Sequence, residues 1–268
     1  MPSFSDQLGR TISLPQPPRR IISLVPSQTE LLYTLGLDPA VVGITKFCVH
    51  PEAWFRSKPR VGGTKAVDPA RVDALDPDLI IANKEENDRS QVEALAARYP
   101  VWISDIKTLG GALAMIRSIG EITGKTAAAE TLASDIADRF AQLPGKKLPQ
   151  TNLSSSTALR AAYFIWRDPW MAAGGDTFIT DMLHYCGFTN VFAGSDRYPT
   201  VDLSRLSGQK DLHILLSSEP YPFRGRHIDE IKEILPDATI RLVDGQYFSW
   251  YGSRLLEAAE YFRRLPVS

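Results

Sequence analysis

The stretch 124-GKTAAAETLASDIADRFAQL-143 decides how the rest of the chain is read. It holds three consecutive alanines, with neither Gly nor Pro between Lys125 and Leu143, so nothing in it resists a helix. Leu132, Ile136, Phe140 and Leu143 recur at spacings of four, four and three, which puts them on one face. Glu130, Asp135, Asp138 and Arg139 fall mostly elsewhere. Gly124 lies just before the helix and Pro144-Gly145 ends it. Some nineteen residues span roughly 28 Å, the width of a small domain. Chain of the same texture lies on both sides, so the stretch reads as a rod joining two lobes. Taken alone, it also fits an ordinary crossover helix inside one domain.

Upstream of the rod, Ile21 to Val25 is a short apolar run of strand type after the extended lead-in of Pro15, Pro17 and Pro18. Pro26 stops it. Ser27-Gln28-Thr29-Glu30 follows as a capping-box pattern, in which Ser27 caps the helix and Glu30 reaches back. Val41–Ile44, Leu79–Ala82 and Val101–Ile103 read as further strands. Pro69–Leu75, Val92–Arg98 and a segment carrying Leu109, Leu113, Ile116, Ile119 and Ile122 read as helices. Downstream, the Ser-rich connection 149–156 is followed by a restart. Strands are predicted over Ala161–Trp166, Leu212–Leu216 and Thr239–Val243, and helices over Phe178–Tyr185, Ile228–Leu235 and Ser253–Arg264. Short, continuously apolar strands alternating with helices imply a mostly parallel sheet covered on both faces. Pro77–Asn83 and Lys210–Leu216 share a pattern of acid, apolar strand and polar end, a weak internal repeat that supports two similar lobes.

Composition narrows the function classes. The chain has 268 residues, 44% hydrophobic and 23% charged, as a globular protein has. Its net charge of −1 provides no basic field for nucleic acid or an anionic membrane surface. No apolar run is long enough for a membrane span. The N-terminal stretch is not a secretory signal as it stands; the protein is therefore expected to be cytoplasmic if the sequence is complete, and extracytoplasmic or periplasmic if a signal was removed. Cys48 and Cys186, the only cysteines, read as buried free thiols.

In open α/β sheets ligands bind beyond the carboxyl ends of the strands. Those ends carry Phe47 and His50; Glu85, Glu86 and Asn87; Trp166 and Trp170; Glu219 and Tyr221; and Tyr247, Phe248, Trp250 and Tyr251. Wide aromatic surfaces with a few polar groups suit a large, flat organic ligand, although any one of these rings could equally belong to a core. His50, two residues after Cys48, is a candidate metal ligand, or else a hydrogen-bonding loop residue. Glu85-Glu86 could hold a cation or be solvated surface. Arg254, near Trp250 and Tyr251, could grip a carboxylate or phosphate with both arms, or form an ordinary salt bridge. Gly174-Gly175-Asp176-Thr177 could meet an anion through backbone amides, or simply make a tight turn. The nucleophile-elbow, phosphate-loop, dinucleotide and zinc-protease motifs do not occur, so a binder is favoured over an enzyme.

Arg20–Ser27 with Thr29-Glu30, then Leu75–Ile80, then the rod, resemble the helical-backbone substrate-binding proteins that receive cobalamin, haem and iron–siderophore complexes for ABC importers. The likeness runs from about Leu8 to Leu265 and is greatest to the cobalamin binders. It implies an α/β fold of two Rossmann-like lobes with mostly parallel sheets, joined by one long bridging helix. The N-terminal lobe would be residues 1–107, the connecting helices 108–148 and the C-terminal lobe 149–268. It further implies a monomer with no required cofactor, which holds a cobalamin or other metal chelate between the lobes with modest closure. Phe47 and His50 fall where the cobalamin binders place aromatic contacts. Tyr198 falls where a tryptophan is expected, Tyr247 and Phe248 match an aromatic pair, and Arg254 matches an arginine. The aromatic expected near Gly63-Thr64 is missing. Where importer-linked relatives carry a glutamate on each lobe to dock on the permease, this chain has Ala70 and Ser204. Three functions follow: a corrinoid binder; a haem or ferric-siderophore receptor that leans on Arg254 and Glu85-Glu86; and a cytoplasmic enzyme or metal handler with His50, Cys48 and Glu85 around an ion.

Overall fold

The computed structural model of the protein describes residues 1–143, 145 and 159–265. The predicted Ser-rich connection and Pro144 lie outside these residues. The chain forms two compact units. One comprises Met1–Ile106, Gly110–Asp135 and Trp250–Arg254; the other comprises Lys107–Leu109, Ile136–Ser249 and Leu255–Ser268.

The first unit opens with an antiparallel hairpin, β1 (Ser3–Ser5) and β2 (Thr11–Ser13). Its turn is organised by buried Asp6, whose carboxylate accepts from the Leu8 amide (2.9 Å), the Arg10 amide (2.8 Å) and Arg10 Nε (2.8 Å). Next come β3 (Ile21–Ser23), α1 (Pro26–Thr34), β4 (Val41–Ile44), α2 (Glu52–Ser57), α3 (Pro69–Leu75), β5 (Leu79–Asn83), α4 (Arg89–Ala96) and β6 (Val101–Ser104). The sheet is parallel throughout, in the order β4-β3-β5-β6. Every residue of β3, β5 and β6 is buried, which is why these strands read as unbroken apolar runs. Ile22, Ile80, Val92, Leu95 and Ile103 form the core on one face. The hairpin covers the β6 edge: the Gln7 amide donates to the Ile103 carbonyl (3.1 Å), and Gln7 Oε1 accepts from the Asp105 amide (3.0 Å).

The predicted capping box does not form. Pro26 occupies the first helical turn of α1, Val25 is the cap, and no side chain caps the end. Proline's fixed φ suits that position and moves the helix start ahead of Ser27. Glu30 is thereby left for another partner.

The long central stretch is two helices, α5 (Leu109–Ile122) and α6 (Thr126–Ala141), separated at Gly124, which is left-handed (φ 71°). At sixteen residues, α6 is shorter than the predicted rod. Its predicted inner face is buried, with Ile136 and Phe140 fully so. The boundary between the units falls inside this helix, at Asp135/Ile136.

In the second unit come β7 (Leu159–Trp166), β8 (Met171–Ala172), α7 (Phe178–Tyr185), β9 (Phe188–Asn190), β10 (Leu212–Ser217), α8 (Gly225–Ile234), β11 (Thr239–Val243), α9 (Gly245–Ser249) and α10 (Leu255–Arg264). A 3-10 turn, Leu203–Leu206, precedes β10. Parallel pairing gives the order β9-β7-β10-β11, with β8 added antiparallel on β7. That order matches β4-β3-β5-β6 position for position, so the repeat read from Pro77–Asn83 and Lys210–Leu216 reflects two equivalent central strands, β5 and β10. Asp68 caps α3 and Asp202 caps the 3-10 turn at equivalent places in the two halves. Among the described residues no helix is long and apolar enough to cross a membrane.

Candidate functional site

In the first unit the strands end in small polar side chains that knit together. Ser104 Oγ lies 2.5 Å from Gln28 Nε2 and 3.0 Å from Asn83 Nδ2. Asn87 accepts from the Asn83 amide (2.8 Å) and donates to the Leu24 (3.2 Å) and Thr64 (3.0 Å) carbonyls. Asn83 Oδ1 in turn accepts from the amides of Glu85 (2.8 Å) and Glu86 (3.0 Å), which fixes the half-exposed acidic loop at the end of β5. These bonds satisfy buried backbone groups that strand pairing leaves over.

The loop after β4 is anchored by Cys48. Its sulfur lies 3.1 Å from Thr29 Oγ1 and 3.2 Å from Thr45 Oγ1, and burial pushes the thiol above its ordinary range. On either side of this buried anchor the loop turns outward. Phe47 is 51% exposed and Val49 40% exposed. His50 sets its ring edge-to-face against Trp250, with centroids 5.7 Å apart.

Trp250–Arg254 follows the last strand of the second sheet yet belongs to the first unit. Trp250 and Tyr251 are buried there. The Arg254 guanidinium lies over the Trp250 ring, 4.9 Å from its centroid. Its Nε donates to Glu30 Oε2 (2.9 Å), and a terminal nitrogen donates to the other oxygen. Arg254 does grip a carboxylate with both arms, but that carboxylate is Glu30 of its own chain, the residue freed by the shifted start of α1. Gly252 lets the segment approach: a β-carbon there would stand 2.8 Å from the Ser27 carbonyl oxygen.

The ion cluster expected of His50, Cys48 and Glu85 does not form. Among the described residues no group of three or more His, Cys, Asp or Glu side chains is placed to hold a metal. Cys48 is held by two threonines and His50 by an indole. A metal centre built at His50 from protein donors alone is not what these residues make.

In the second unit, Trp166 ends β7 with 41% of its surface exposed and meets Tyr221 edge-to-face at 5.7 Å. The Tyr221 hydroxyl lies 3.2 Å from His227 Nε2. Trp170 is turned inward: it stacks on Phe223 (5.8 Å, 5° between planes) and lies edge-on to Phe164 (5.6 Å). Arg167 covers Trp170 and forks onto Glu230, which holds the guanidinium above its ordinary range. Glu219 Oε1 accepts from Ser249 Oγ (2.9 Å). Tyr247 stacks on Tyr261 at 4.7 Å. Phe248, its neighbour, is fully buried against Tyr163, Tyr261 and Phe262. Phe248 therefore belongs to the core.

Tyr198 is half-buried in a loop folded over Gly174-Gly175. Those two glycine amides donate to the carbonyls of Arg197 (2.8 Å) and Ser195 (2.7 Å). The anion cradle predicted at Gly174–Thr177 is thus filled by the chain's own carbonyls, and Thr177 serves as the cap of α7. Asp176 accepts from the Arg197 amide (2.5 Å), the main cause of its carboxyl lying below the ordinary range.

The structure thus groups Phe47, His50, Glu85, Glu86, Trp250, Tyr251 and Arg254 in the first unit. It groups Trp166, Trp170, Tyr198, Glu219, Tyr247 and Phe248 in the second. Sequence reading missed Glu30, hidden inside an apparent capping box, and Lys46, an exposed lysine whose ammonium lies 5.1 Å from the centroid of the Phe47 ring.

A duplicated parallel α/β scaffold with aromatic loops past its strand ends is that of a ligand-binding protein, the place where such sheets receive small molecules. The sequence profile of the periplasmic binding protein family matches residues 21–233, and the chain belongs to that family. A vitamin B12-binding protein of Pectobacterium carotovorum is 26% identical over 251 residues, covering 91% of this chain and 86% of that protein. The solved structure of the periplasmic vitamin B12 binding protein BtuF of Vibrio cholerae is similar with a TM-score of 0.73 at 22% identity, over 92% of this chain and 95% of that one. The periplasmic haem binding protein HutB of Vibrio cholerae gives a TM-score of 0.75 at 18% identity, over 93% and 99%. At these identities the two structures speak to the fold.

Proposed function

We propose that the protein binds a metal-chelating macrocycle, in first place cobalamin or a related corrinoid, without converting it, as the substrate-binding component of an ABC uptake system or a relative of one. The observation that carries this reading is that each unit holds an aromatic ring out to solvent past its strand ends, Phe47 in one and Trp166 in the other. Rings fixed in this way offer flat apolar area at little cost in ordering. The vitamin B12-binding relatives support the corrinoid choice.

Haem is the second reading, and His50 favours it. This half-exposed imidazole packs edge-on to Trp250, and an imidazole is a common axial donor to chelated iron. An ABC permease is the partner the family role implies. Ala70 and Ser204 stand where the resemblance puts docking glutamates. Each lies two residues after a capping aspartate and one before an arginine paired with it, Asp68–Arg71 and Asp202–Arg205.

Titration calorimetry with cyanocobalamin, haemin and a ferric siderophore tests the proposal. One-to-one micromolar or tighter binding of cyanocobalamin supports it. Binding of haemin alone moves the assignment to the second reading, and binding of none of the three overturns both.

A further inference from the structure

Lys46 is the cation that the loop after β4 leaves without a counter-charge. Among the described residues its ammonium makes no ion pair and no hydrogen bond; its one contact is the face of Phe47, 5.1 Å to the centroid. Neighbouring lysines are occupied. Lys84 pairs with Asp105 (2.5 Å), and the Lys65 ammonium reaches the Glu85 and Asn87 carbonyls.

The loop that presents Lys46 is built rather than loose. Its amide donates to the Gly62 carbonyl (2.8 Å), the Cys48 amide to the Thr45 carbonyl (3.2 Å) and the Val49 amide to the Phe47 carbonyl (2.9 Å). The buried Cys48 thiol pins the centre. Lys46 and Phe47 both lie on Gly63, where a β-carbon would stand 3.3 Å from Lys46 Cε and 3.3 Å from Phe47 Cε2. The surface at Gly63, where an aromatic was expected, is therefore supplied by the Phe47 ring and the Lys46 stem. The result is an apolar patch of Phe47 and Val49 with a single positive charge at its rim.

An exposed ring that keeps an unneutralised ammonium at its face suits a ligand that brings both an apolar plane and a negative group. We propose that Lys46 and Phe47 form a subsite for an acidic substituent, a carboxylate or phosphate borne beside the flat face of the ligand. This inference rests on the macrocycle reading above and adds the charge the ligand must carry.

Paired probes test it. Cyanocobalamin carries a phosphodiester that dicyanocobinamide lacks, and haemin carries two carboxylates that its dimethyl ester lacks. For whichever macrocycle binds, Lys46→Met weakens the acidic member about five- to ten-fold and leaves the other within about two-fold, the size of a partly solvated charge-assisted contact. Lys46→Glu weakens the acidic member further. Phe47→Ala weakens both members of a pair alike. The Lys46 variants keep the thermal midpoint of the parent, since the ammonium bonds to nothing in the fold. Equal loss on both members, or no loss on either, overturns the subsite while leaving the macrocycle reading in place. Failure of the parent protein to bind any of the four overturns both.

Discussion

Replacing Arg254 by Met removes the fork onto Glu30 while keeping an apolar stem over Trp250. The two side chains are only 12% and 19% exposed, so Glu30 is left half-desolvated without its partner. Charge-assisted hydrogen bonds of this kind contribute about 1.5–3 kcal/mol, and the cation–π contact about 0.5–1 kcal/mol more. Residual solvent keeps the total below the roughly 3–5 kcal/mol of a fully buried broken pair. The expected cost is therefore about 2–3 kcal/mol, or roughly 5–10 °C in the midpoint of a protein of this size. Glu30→Gln should cost less, because a neutral carbonyl still accepts one of the two bonds. Denaturant unfolding of the two single variants and the double variant closes a cycle. A coupling of about 1 kcal/mol or more is expected, since each change destroys the same contact. If the two losses add within about 0.3–0.5 kcal/mol, Arg254 and Glu30 do not act on each other and the account of the Trp250–Arg254 segment fails.

Three other perturbations separate packing from binding. Gly252→Ala drives a β-carbon to 2.8 Å from the Ser27 carbonyl, so about 1–3 kcal/mol should be lost; an unchanged denaturant midpoint would show that the segment does not press on α1. Phe248→Ala should cost about 3–5 kcal/mol as a core cavity, whereas Trp166→Ala should leave the midpoint nearly unmoved and lower ligand affinity about ten-fold, in line with base- and ring-stacking losses at other flat ligands; the reverse pattern in calorimetry and thermal melts would refute the division. Asp181 accepts from the Leu109 amide (2.6 Å), but burial dominates and raises its carboxyl above the ordinary 3.8. Stability from a raised group is full below the ordinary value and is lost as pH rises through the folded-state one. Asp181→Asn should thus stabilise at pH 7 and gain nothing at pH 3, which melts at the two pH values will check.

Much of the scaffold was legible because its signals are local. α3, α7 and β11 lie where the sequence puts them to the residue, since fully apolar runs bounded by Pro, Asp or Gly leave little choice. Short elements escaped for the converse reason. β9 has three residues, and the hairpin of β1 and β2 buries one side chain of consequence, Ile12, too few to show a period. At the site, adjacency misled: Tyr247 and Phe248 look like a pair, but a helical step of about 100° sends one outward and the other into the core. Long-range pairing was invisible altogether. Nothing near Arg254 announces that its partner lies 224 positions away, and nothing near Gly174-Gly175 announces that the chain returns at Ser195 and Arg197 to take their amides.

The internal repeat explains why the fold was easier to reach than the ligand. Both halves keep one strand order and one position for a capping aspartate, because register, right-handed crossovers and helix starts depend on backbone and apolar volume. Past the strand ends the halves share little. β3, β5 and β6 end in Ser23, Asn83 and Ser104, the last two bonded to each other, while β7 ends in the bare ring of Trp166. Those positions lie outside the cores and cost little stability to change, so a duplicated scaffold can acquire a new ligand by loop substitution alone. Similarity at 18–26% identity, spread over nearly the whole chain, samples mostly the part that had to stay. The ligand is therefore to be read from the few side chains that break the repeat: Phe47 with its lone lysine, the His50–Trp250 contact, and Trp166.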